Sequence, residues 1–422
     1  MASKKVKYDA SKALLATLPP PTGEPDDYWE KNLQWSDKHQ LLAVLRNGFL
    51  VLSRDERWQG VLAYDEFANQ VVKLKPPPYE DAHAGPWDDV DDLRTVIWLS
   101  QHYMVNMKKQ TVTDAAVAVA NERRFHPVRN YFAGIKWDGK ERLSSWLHEY
   151  LGAIANDYTS AVGIKYLVGA VARVMRPGCK MDNVIILEGE QGRWKSSALA
   201  AIAGDWFMDT PFTLGDKDAY LALRGKLIVE MAELDALGRA ESSRAKAFFS
   251  SSSDTFRAPY QAWARTVPRQ CVFAGTVNHG TYLRDTTGNR RYWPVRITHA
   301  DLDQLRDDRD QLWAEAYSRY QAGARWWVQM DERDIFEQEQ ELRYVGDALE
   351  DKLRSYLAGE NETTMERVLD IGLKLDVSKW TRAEQSRIGE VLQKLGWEKI
   401  RRSNGLREYY YARRERQPGE DG

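Results

Sequence analysis

Residues 183–204 combine glycines, a lysine and a serine in an order that suits phosphate binding. A short apolar run, Val184 to Leu187, predicts a buried strand, and the Ala/Leu-rich residues after Ser196 predict a helix. In such a strand–loop–helix order, backbone N–H groups at the helix N-terminus can surround phosphate oxygens. The alternative is a glycine-containing turn before a core helix, with an incidental Lys-Ser pair. The predicted ATP-binding residues are Gly189, Glu190, Gln191, Gly192, Arg193, Trp194, Lys195, Ser196 and Ser197.

The motif assigns separate roles to the lysine and the serine. Lys195 would neutralise the outer phosphates, and the Ser196 hydroxyl would hold Mg²⁺. Trp194 departs from the motif, which has glycine before the lysine. Its indole must point away from the nucleotide or lie over it, so we expect it to affect hydrolysis more than binding. A loop that binds nucleotide but hydrolyses it poorly is the intermediate interpretation.

A second apolar strand runs into two acidic residues. Leu227 to Val229 begin this strand, and Glu230 and Glu233 lie at or beyond its end. An ATPase needs a carboxylate there to hold hydrated Mg²⁺ and to polarise the attacking water. We predict that Glu233 activates the water and that Glu230 assists on the metal side. Alternatively, Glu230 faces solvent on an exposed strand.

A third strand, Cys271 to Val277, is followed by polar and basic residues. Asn278 lies at its tip, where a side chain beside the phosphate loop can position the attacking water. Arg290 and Arg291 come just before another short strand, and such a pair can reach the γ-phosphate of a neighbouring subunit. The alternative is a loop held by local salt bridges.

Basic and aromatic residues alternate around a predicted turn in residues 256–270. Such a hairpin suits single-stranded DNA, because cations contact phosphates and aromatic rings stack on bases. The alternative is a surface hairpin with ordinary cross-strand pairs. The DNA-binding residues predicted on this segment are Arg257, Tyr260, Arg265 and Arg269.

The C-terminal region predicts two helices followed by a two-stranded hairpin, which is the order of a winged helix. Residues 379–416 hold 11 Lys/Arg against 5 Glu, a local charge of +6, whereas the whole chain carries −2. This asymmetry indicates a DNA-facing module. A winged helix that contacts protein is the alternative. The predicted helices are 367–371 and 381–395, and the predicted strands are 399–402 and 407–413. The predicted DNA contacts here are Arg401, Arg402 and Arg407.

The composition is that of a folded chain with several domains. Its 422 residues suggest about two to four domains, and 43% hydrophobic residues suffice for sizeable cores. Cys179 and Cys271 show no metal-like spacing and no disulfide framework, which fits a reducing cytoplasm. The chain has no signal-peptide pattern and no apolar run of about 18 residues, so we expect no membrane span.

The chain is expected to divide into six parts. They are a tail or linker (1–25), a mostly helical N-terminal domain (26–124), a core with a helical lead-in (125–330), a helical linker (331–362), a winged helix (363–416) and a tail (417–422). The elements predicted in the N-terminal domain are helices at 39–46, 93–103 and 113–123 and a strand at 49–52.

Four segments, taken in order, resemble one family. They are PGCKMDNVIILEGEQGRWKSSALAAIAG, GDKDAYLALRGKLIVEMAELDAL, FRAPYQAWARTVPRQCVFAGTVN and TGNRRYWPVRI. Together they are similar to the virulence-associated protein E family, which comprises AAA+-type P-loop ATPases of phages and genomic islands similar to superfamily 3 helicases. The resemblance covers roughly residues 125–327 and is weaker on either side. It implies an α/β fold with an AAA+-type P-loop NTPase core.

The resemblance also assigns residue roles. It places the phosphate loop at Gly189, Gly192, Lys195 and Ser196, the Walker B acids at Glu233 and Glu230, the sensor at Asn278 and the arginines after the sensor at Arg290 and Arg291. The segment from Lys246 to Tyr260 matches the lead into the DNA-gripping hairpin, which adds Lys246 to the DNA-binding candidates.

The resemblance implies an ATP-dependent DNA helicase or translocase, a hexameric ring that replicates a phage or mobile element in the bacterial cytoplasm. Its partners would be single-stranded and origin DNA, with a separate primase or replication initiator. The chain shows no primase-like acid cluster, so we expect no primer synthesis. Two alternatives stay open. One is a nucleotide-controlled DNA-binding initiator or regulator without motor activity, and the other is an NTPase switch in phage interference without a DNA substrate.

Overall fold

The structure is a computed structural model that describes residues 29–210, 217–232, 239–256, 264–278, 283, 289–344, 348–402 and 409–413. These residues form an N-terminal unit, a central parallel sheet with flanking helices, and a C-terminal unit. Among the described residues, no helix is long and apolar enough to cross a lipid bilayer.

The N-terminal unit is a four-stranded sheet with helices packed on it. Its elements are α1 (Leu45–Arg54), β1 (Leu62–Asp65), β2 (Gln70–Lys73), β3 (Gly85–Pro86), α2 (Asp89–Tyr103), α3 (Lys109–Glu122) and β4 (Arg124–Phe125). The strand order is β3-β2-β1-β4. The Asp88 carboxylate begins α2 by accepting the N–H groups of Val90 and Asp91, which forms a capping box.

This unit contains more strand than the mostly helical prediction. The helices predicted at 93–103 and 113–123 are confirmed as α2 and α3. The predicted strand at 49–52 is wrong, because these residues lie inside α1. A four-residue apolar run does not distinguish a strand from a buried helical segment, and here Val51 and Leu52 pack in a core shared with α3.

The central sheet has five strands, all parallel, in the order β11 (Tyr292–Arg296), β5 (Val184–Glu188), β10 (Val272–Val277), β7 (Ile228–Ala232) and β6 (Phe207–Met208). The elements before the sheet are α4 (Pro127–Gly134), α5 (Trp146–Leu151) and α6 (Asp157–Met175). The first half of the sheet region comprises β5 (Val184–Glu188), α7 (Lys195–Ala203), β6 (Phe207–Met208), α8 (Lys217–Ala222) and β7 (Ile228–Ala232). The second half comprises α9 (Arg239–Ser250), β8 (Ser253–Phe256), β9 (Arg265–Pro268), β10 (Val272–Val277), β11 (Tyr292–Arg296) and α10 (Leu302–Gln321).

Strand β5 is buried on both faces of the sheet. Ile185 and Leu187 belong to the core that includes α6 and α10, whereas Val184 and Ile186 belong to the core that includes α9. Alternate side chains of a strand point to opposite faces. A strand covered on both sides therefore has the continuous apolar run that the sequence showed, and the strands predicted at 184–187 and 271–277 are confirmed.

The C-terminal unit packs helices against a three-stranded sheet in the order β12 (Glu362–Thr363), β14 (Tyr409–Arg413) and β13 (Trp397–Arg401). Its elements, with the preceding helix α11, are α11 (Arg333–Glu341), α12 (Ala348–Leu357), β12 (Glu362–Thr363), α13 (Met365–Arg367), α14 (Arg382–Lys394), β13 (Trp397–Arg401) and β14 (Tyr409–Arg413). The predicted order of helix, helix and hairpin is present, and β12 adds a strand to the hairpin.

The segment 331–362 differs from the predicted linker. Phe336 of α11 packs in the central core, whereas Leu353 and Leu357 of α12 pack in the C-terminal core. The two units therefore meet between α11 and α12, upstream of the predicted boundary at residue 363.

His126 is buried between the N-terminal unit and the central sheet. Its Nδ1 accepts the N–H of Arg129 at 3.2 Å, and its Nε2 lies 2.7 Å from Oε1 of Gln270. Burial lowers the pKa of His126 to about 4, because the charged imidazolium would lose its hydration.

We expect His126 to make the protein less stable in acid, by about 2–3 kcal/mol between pH 7 and pH 4.5. The unfolded chain binds this proton near the ordinary pKa of 6.5, and the folded chain only near 4, so stability is present above pH 6.5 and is lost as the pH falls. Urea unfolding of the protein and of His126→Asn, which keeps an acceptor at the start of α4, measures the difference. Equal pH dependence of the two proteins would contradict this expectation.

Candidate functional site

The loop between β5 and α7 turns sharply at two positions. Gly192 has a φ of +84° and Trp194 a φ of +59°, and α7 begins immediately afterwards at Lys195. Glycine adopts this left-handed conformation without a steric penalty, whereas other residues lose roughly 1–2 kcal/mol. The loop therefore needs positive φ at the position where the phosphate-binding motif has glycine.

The Trp194 side chain points into solvent, with 61% of its surface exposed. The sequence allowed the indole either to lie over the nucleotide or to point away from it. In this conformation it points away from the loop. With most of its surface in solvent, the indole buries only a minor part of its area to offset the backbone strain.

We expect Trp194→Gly to raise the midpoint of thermal unfolding by about 2 °C, since it removes roughly 1 kcal/mol of strain. The matched variant is Gly192→Ala, whose added Cβ would meet nothing within 4 Å and whose cost is therefore the backbone conformation alone. It should lower the midpoint by a similar amount. A lower midpoint for Trp194→Gly would show that the indole makes a stabilising contact.

The Lys195 side chain folds back over the loop. Its Nζ donates to the carbonyl oxygens of Gly189 at 2.6 Å and Glu190 at 3.0 Å, and to Oδ1 of Asn278 at 3.1 Å. Because Asn278 directly follows β10, the structure brings together the predicted phosphate ligand and the predicted sensor. The residue is 8% exposed, so its charge lies within the loop and not in bulk solvent.

Glu230 lies within β7 and is 4% exposed. Its Oε1 accepts hydrogen bonds from Oγ of Ser196 and from Oγ1 of Thr276, both at 2.7 Å. Its Oε2 is buried and has no hydrogen-bond partner in the described part of the chain. The alternative, in which Glu230 faces solvent on an exposed strand, is therefore wrong.

A buried carboxylate oxygen without a hydrogen-bond partner raises the free energy of the folded protein unless a ligand binds to it. Beside the Ser196 hydroxyl, this oxygen fits a hydrated Mg²⁺, which takes one or two carboxylates together with waters and substrate phosphates. A hydroxyl and one carboxylate are the donors that suit a cation shared with a phosphate ligand.

Sequence reasoning missed Thr276. It lies one residue before the end of β10, and its neighbour in the register on β7 is Ala232. Only the pairing of β10 with β7 brings its hydroxyl to Glu230. The signal that could have found it was a polar residue inside an otherwise apolar strand, close to the predicted site. Glu233, the predicted water-activating acid, lies outside the described residues.

The two arginines before β11 differ in their surroundings. Arg291 is tied within its own chain, because its Nε lies 2.9 Å from Oγ of Ser250 and 3.3 Å from Oδ2 of Asp182. Arg290 is exposed, and its backbone carbonyl accepts from Nδ2 of Asn183 at 3.2 Å. Of the two arginines, Arg290 is therefore the one that reaches solvent.

The predicted DNA-binding hairpin is present as the antiparallel pair β8–β9. Arg265 lies exposed at the start of β9, whereas Arg257 and Tyr260 lie outside the described residues. Two assignments require correction. Arg269 is 2% exposed and forms a bidentate ion pair with Asp254, and Lys246 is 7% exposed with its Nζ 5.9 Å from the Tyr292 ring centroid. Both side chains are therefore too buried to contact DNA on the surface of this conformation.

The C-terminal strands β13 and β14 carry basic residues stacked on tyrosines. Lys399 and Arg401 lie over the Tyr409 ring, at 4.6 and 5.9 Å from its centroid, and Arg402 lies 4.9 Å from that of Tyr410. Arg402 also pairs with Glu362 at 2.6 Å. Arg401 and Arg402 are exposed. Arg407 lies outside the part of the chain that the structure describes.

Solved structures that match this chain include two described as the apo structure and the A form apo structure of the NrS-1 C terminal region (305-718). They are 10% identical to this chain, cover 83% of it and 95% of their own chains, and have TM-scores of 0.43 and 0.42. A further A form apo structure of this region is 11% identical over 67% of this chain and 78% of its own, with a TM-score of 0.38. No curated protein matches the chain.

The family model of the virulence-associated protein E-like domain matches residues 132–345. This range includes the whole parallel sheet, the 189–194 loop, Glu230, Asn278 and both arginines before β11. It spans half of the chain. The chain therefore belongs to the virulence-associated protein E-like family.

Proposed function

We propose that this chain binds ATP together with Mg²⁺ at the 189–197 loop and hydrolyses it, as an AAA+-type P-loop NTPase. The observation that carries the proposal is the convergence of Lys195, Ser196, Glu230 and Asn278 around one loop, with Oε2 of Glu230 open. Membership of the virulence-associated protein E-like family, whose domain includes these residues, is consistent with it.

Each side chain has a distinct role in the proposed reaction. Lys195 leaves the loop carbonyls and neutralises the outer phosphates, while Ser196 and Glu230 hold the cation. Bound Mg²⁺ supplies charge neutralisation at the phosphates. Asn278 orients the attacking water, and Glu233 remains the proposed general base. Arg290 of an adjacent subunit would stabilise the charge that develops on the γ-phosphate.

We further propose that ATP turnover moves single-stranded DNA through a ring, which we expect to be hexameric, during replication of a phage or mobile element. The support is the surface hairpin β8–β9 with exposed Arg265 at its edge, and the basic C-terminal unit. Charge and aromatic rings in such a hairpin suit a backbone-tracking contact. The C-terminal unit is proposed to be a winged helix that binds origin DNA.

The test is to measure ATP turnover of the full chain in Mg²⁺, with and without single-stranded DNA, and its mass in solution with and without nucleotide. We expect turnover to rise with DNA and the mass to increase with nucleotide. Folded protein that shows no affinity for ATP in Mg²⁺ would exclude the ATPase proposal, and turnover indifferent to DNA would favour an NTPase switch.

A second candidate function is a DNA-binding replication initiator or regulator without motor activity, in which nucleotide controls assembly and not the recognition of DNA. The observation that favours it is the exposed arginine–tyrosine surface of β13 and β14, which could bind duplex DNA without a motor. In that case, sequence-specific duplex binding would be independent of ATP and would be lost in the double variant Arg401→Ala/Arg402→Ala, while turnover would not change.

A further inference from the structure

Two adjacent residues, Arg343 and Tyr344, connect the central sheet with the C-terminal unit. They follow α11, which is anchored to the central core by Phe336, and they precede α12, which packs in the C-terminal core. Their backbone also pairs with Leu283, whose N–H donates to the carbonyl of Arg343 at 3.0 Å. Leu283 lies in the chain segment between Asn278 and Arg290. The connector Arg343–Tyr344 thus lies beside the proposed ATPase site.

Arg343 binds the residue that immediately precedes the phosphate loop. Glu188 ends β5 and is 3% exposed. Nε of Arg343 lies 3.0 Å from Oε1 and 3.2 Å from Oε2 of this carboxylate, and Nη2 lies 3.0 Å from Oε2. Nη1 binds Glu339, one turn earlier on α11. A nearly buried guanidinium therefore offsets a buried negative charge at the base of a loop that we propose binds a polyanion.

Tyr344 binds the C-terminal unit. Nζ of Lys394, at the end of α14, lies 3.5 Å from the centroid of the Tyr344 ring. The same ammonium lies 3.1 Å from Oε2 of Glu350 on α12. A cation this close to an aromatic face is attracted to it. Two adjacent residues therefore make contacts on both sides: Arg343 with the residue that precedes the phosphate loop, and Tyr344 with the C-terminal unit.

We propose that Arg343 is a positioning residue through which the C-terminal unit sets the nucleotide affinity of the phosphate loop. The inference rests on the proposed function of that loop. Arg343 supplies the positive charge that pairs with the Glu188 carboxylate at the start of the phosphate loop, and the Lys394–Tyr344 contact holds Arg343 in place. A change in the position of the C-terminal unit alters this pairing and thereby the affinity for ATP.

The charges predict opposite effects for the two partners. Removing Arg343 leaves the Glu188 carboxylate beside the phosphates without this counter-charge, so nucleotide affinity should fall. Removing the charge of Glu188 takes away a repulsive group, so affinity should not fall. With both charges removed, no charge of this pair remains to repel the nucleotide. A general disturbance of the loop would instead weaken binding in both single variants and further in the double variant.

The experiment is an equilibrium titration of the full chain with a fluorescent, non-hydrolysable ATP analogue at fixed Mg²⁺ and without DNA. We expect Arg343→Met to weaken analogue binding about tenfold, and Glu188→Gln to bind at least as tightly as the unsubstituted protein. The affinity of the double variant should return to within about threefold of that of the unsubstituted protein. If Arg343→Met alone does not fold, the comparison of the double variant with Glu188→Gln decides the question. Unchanged affinity in folded Arg343→Met, or additive losses in the double variant, would overturn the proposal.

The contribution of the C-terminal unit is tested with a matched pair of lysines. Lys394→Met removes the contact with Tyr344, whereas Lys399→Met removes a similar lysine–tyrosine contact, with Tyr409, elsewhere in the same unit. We expect the first to weaken analogue binding about threefold and the second to leave it unchanged. Equal affinities of these variants would overturn the role of the C-terminal unit. Failure of the unsubstituted protein to bind the analogue would instead refute the proposed ATPase.

Discussion

Replacing Lys195 by alanine is expected to lower ATP turnover by about 10²- to 10³-fold, the usual effect of removing a charge-stabilising donor from a transition state. The Lys195 ammonium is already inside the loop, held by Gly189, Glu190 and Asn278. It needs only to exchange two carbonyl oxygens for phosphate oxygens, so little reorganisation is required. Steady-state turnover at saturating ATP, together with analogue affinity, measures the loss.

Arg306→Ala is the control for this variant. Arg306 lies on α10, outside the phosphate loop, and its side chain is 57% exposed and pairs with Asp303 at 3.1 Å. Exposed pairs contribute little, so we expect turnover to stay within about threefold. A folded Lys195→Ala protein that keeps turnover at the level of Arg306→Ala would show that the loop is not the catalytic phosphate site.

Replacing Arg290 by alanine is expected to lower turnover by about 10³-fold while ATP affinity changes little, because an arginine supplied from a neighbouring subunit acts on the transition state. Arg290 is exposed on its own chain, in the loop before β11. Arg291→Ala is the comparison. Since Arg291 is held by Ser250 and Asp182, its loss should reduce stability more than turnover.

A mixing experiment distinguishes action between subunits from action within one. Arg290→Ala subunits retain a complete phosphate loop, and Lys195→Ala subunits retain Arg290. Mixed assemblies should therefore recover part of the turnover that each variant lacks alone. No recovery in assemblies shown by mass to contain both variants would place the arginine's action within a single chain.

Much of the candidate site could be predicted because it depends on local features of the chain. The phosphate loop follows a continuous apolar strand and precedes an Ala/Leu-rich helix, and both elements are present at the expected positions. Trp194 stood out in the sequence because the motif has glycine there, and its positive φ gives the physical reason. In the N-terminal unit, by contrast, the short apolar run 49–52 predicts a strand, but packing against α3 makes it part of helix α1.

The sequence by itself determined where the phosphate loop, its flanking strands and the C-terminal hairpin lie, since hydrophobic runs and turn residues act over a few neighbouring positions. Only the tertiary structure decided which distant side chains meet. Ser196 and Glu230 are 34 residues apart and Thr276 and Glu230 are 46 apart, and they meet because β10 lies between β5 and β7. Arg269 is likewise buried because tertiary packing brings its guanidinium to the Asp254 carboxylate. Strand order and burial are properties of the whole packed chain, and no local residue pattern specifies them.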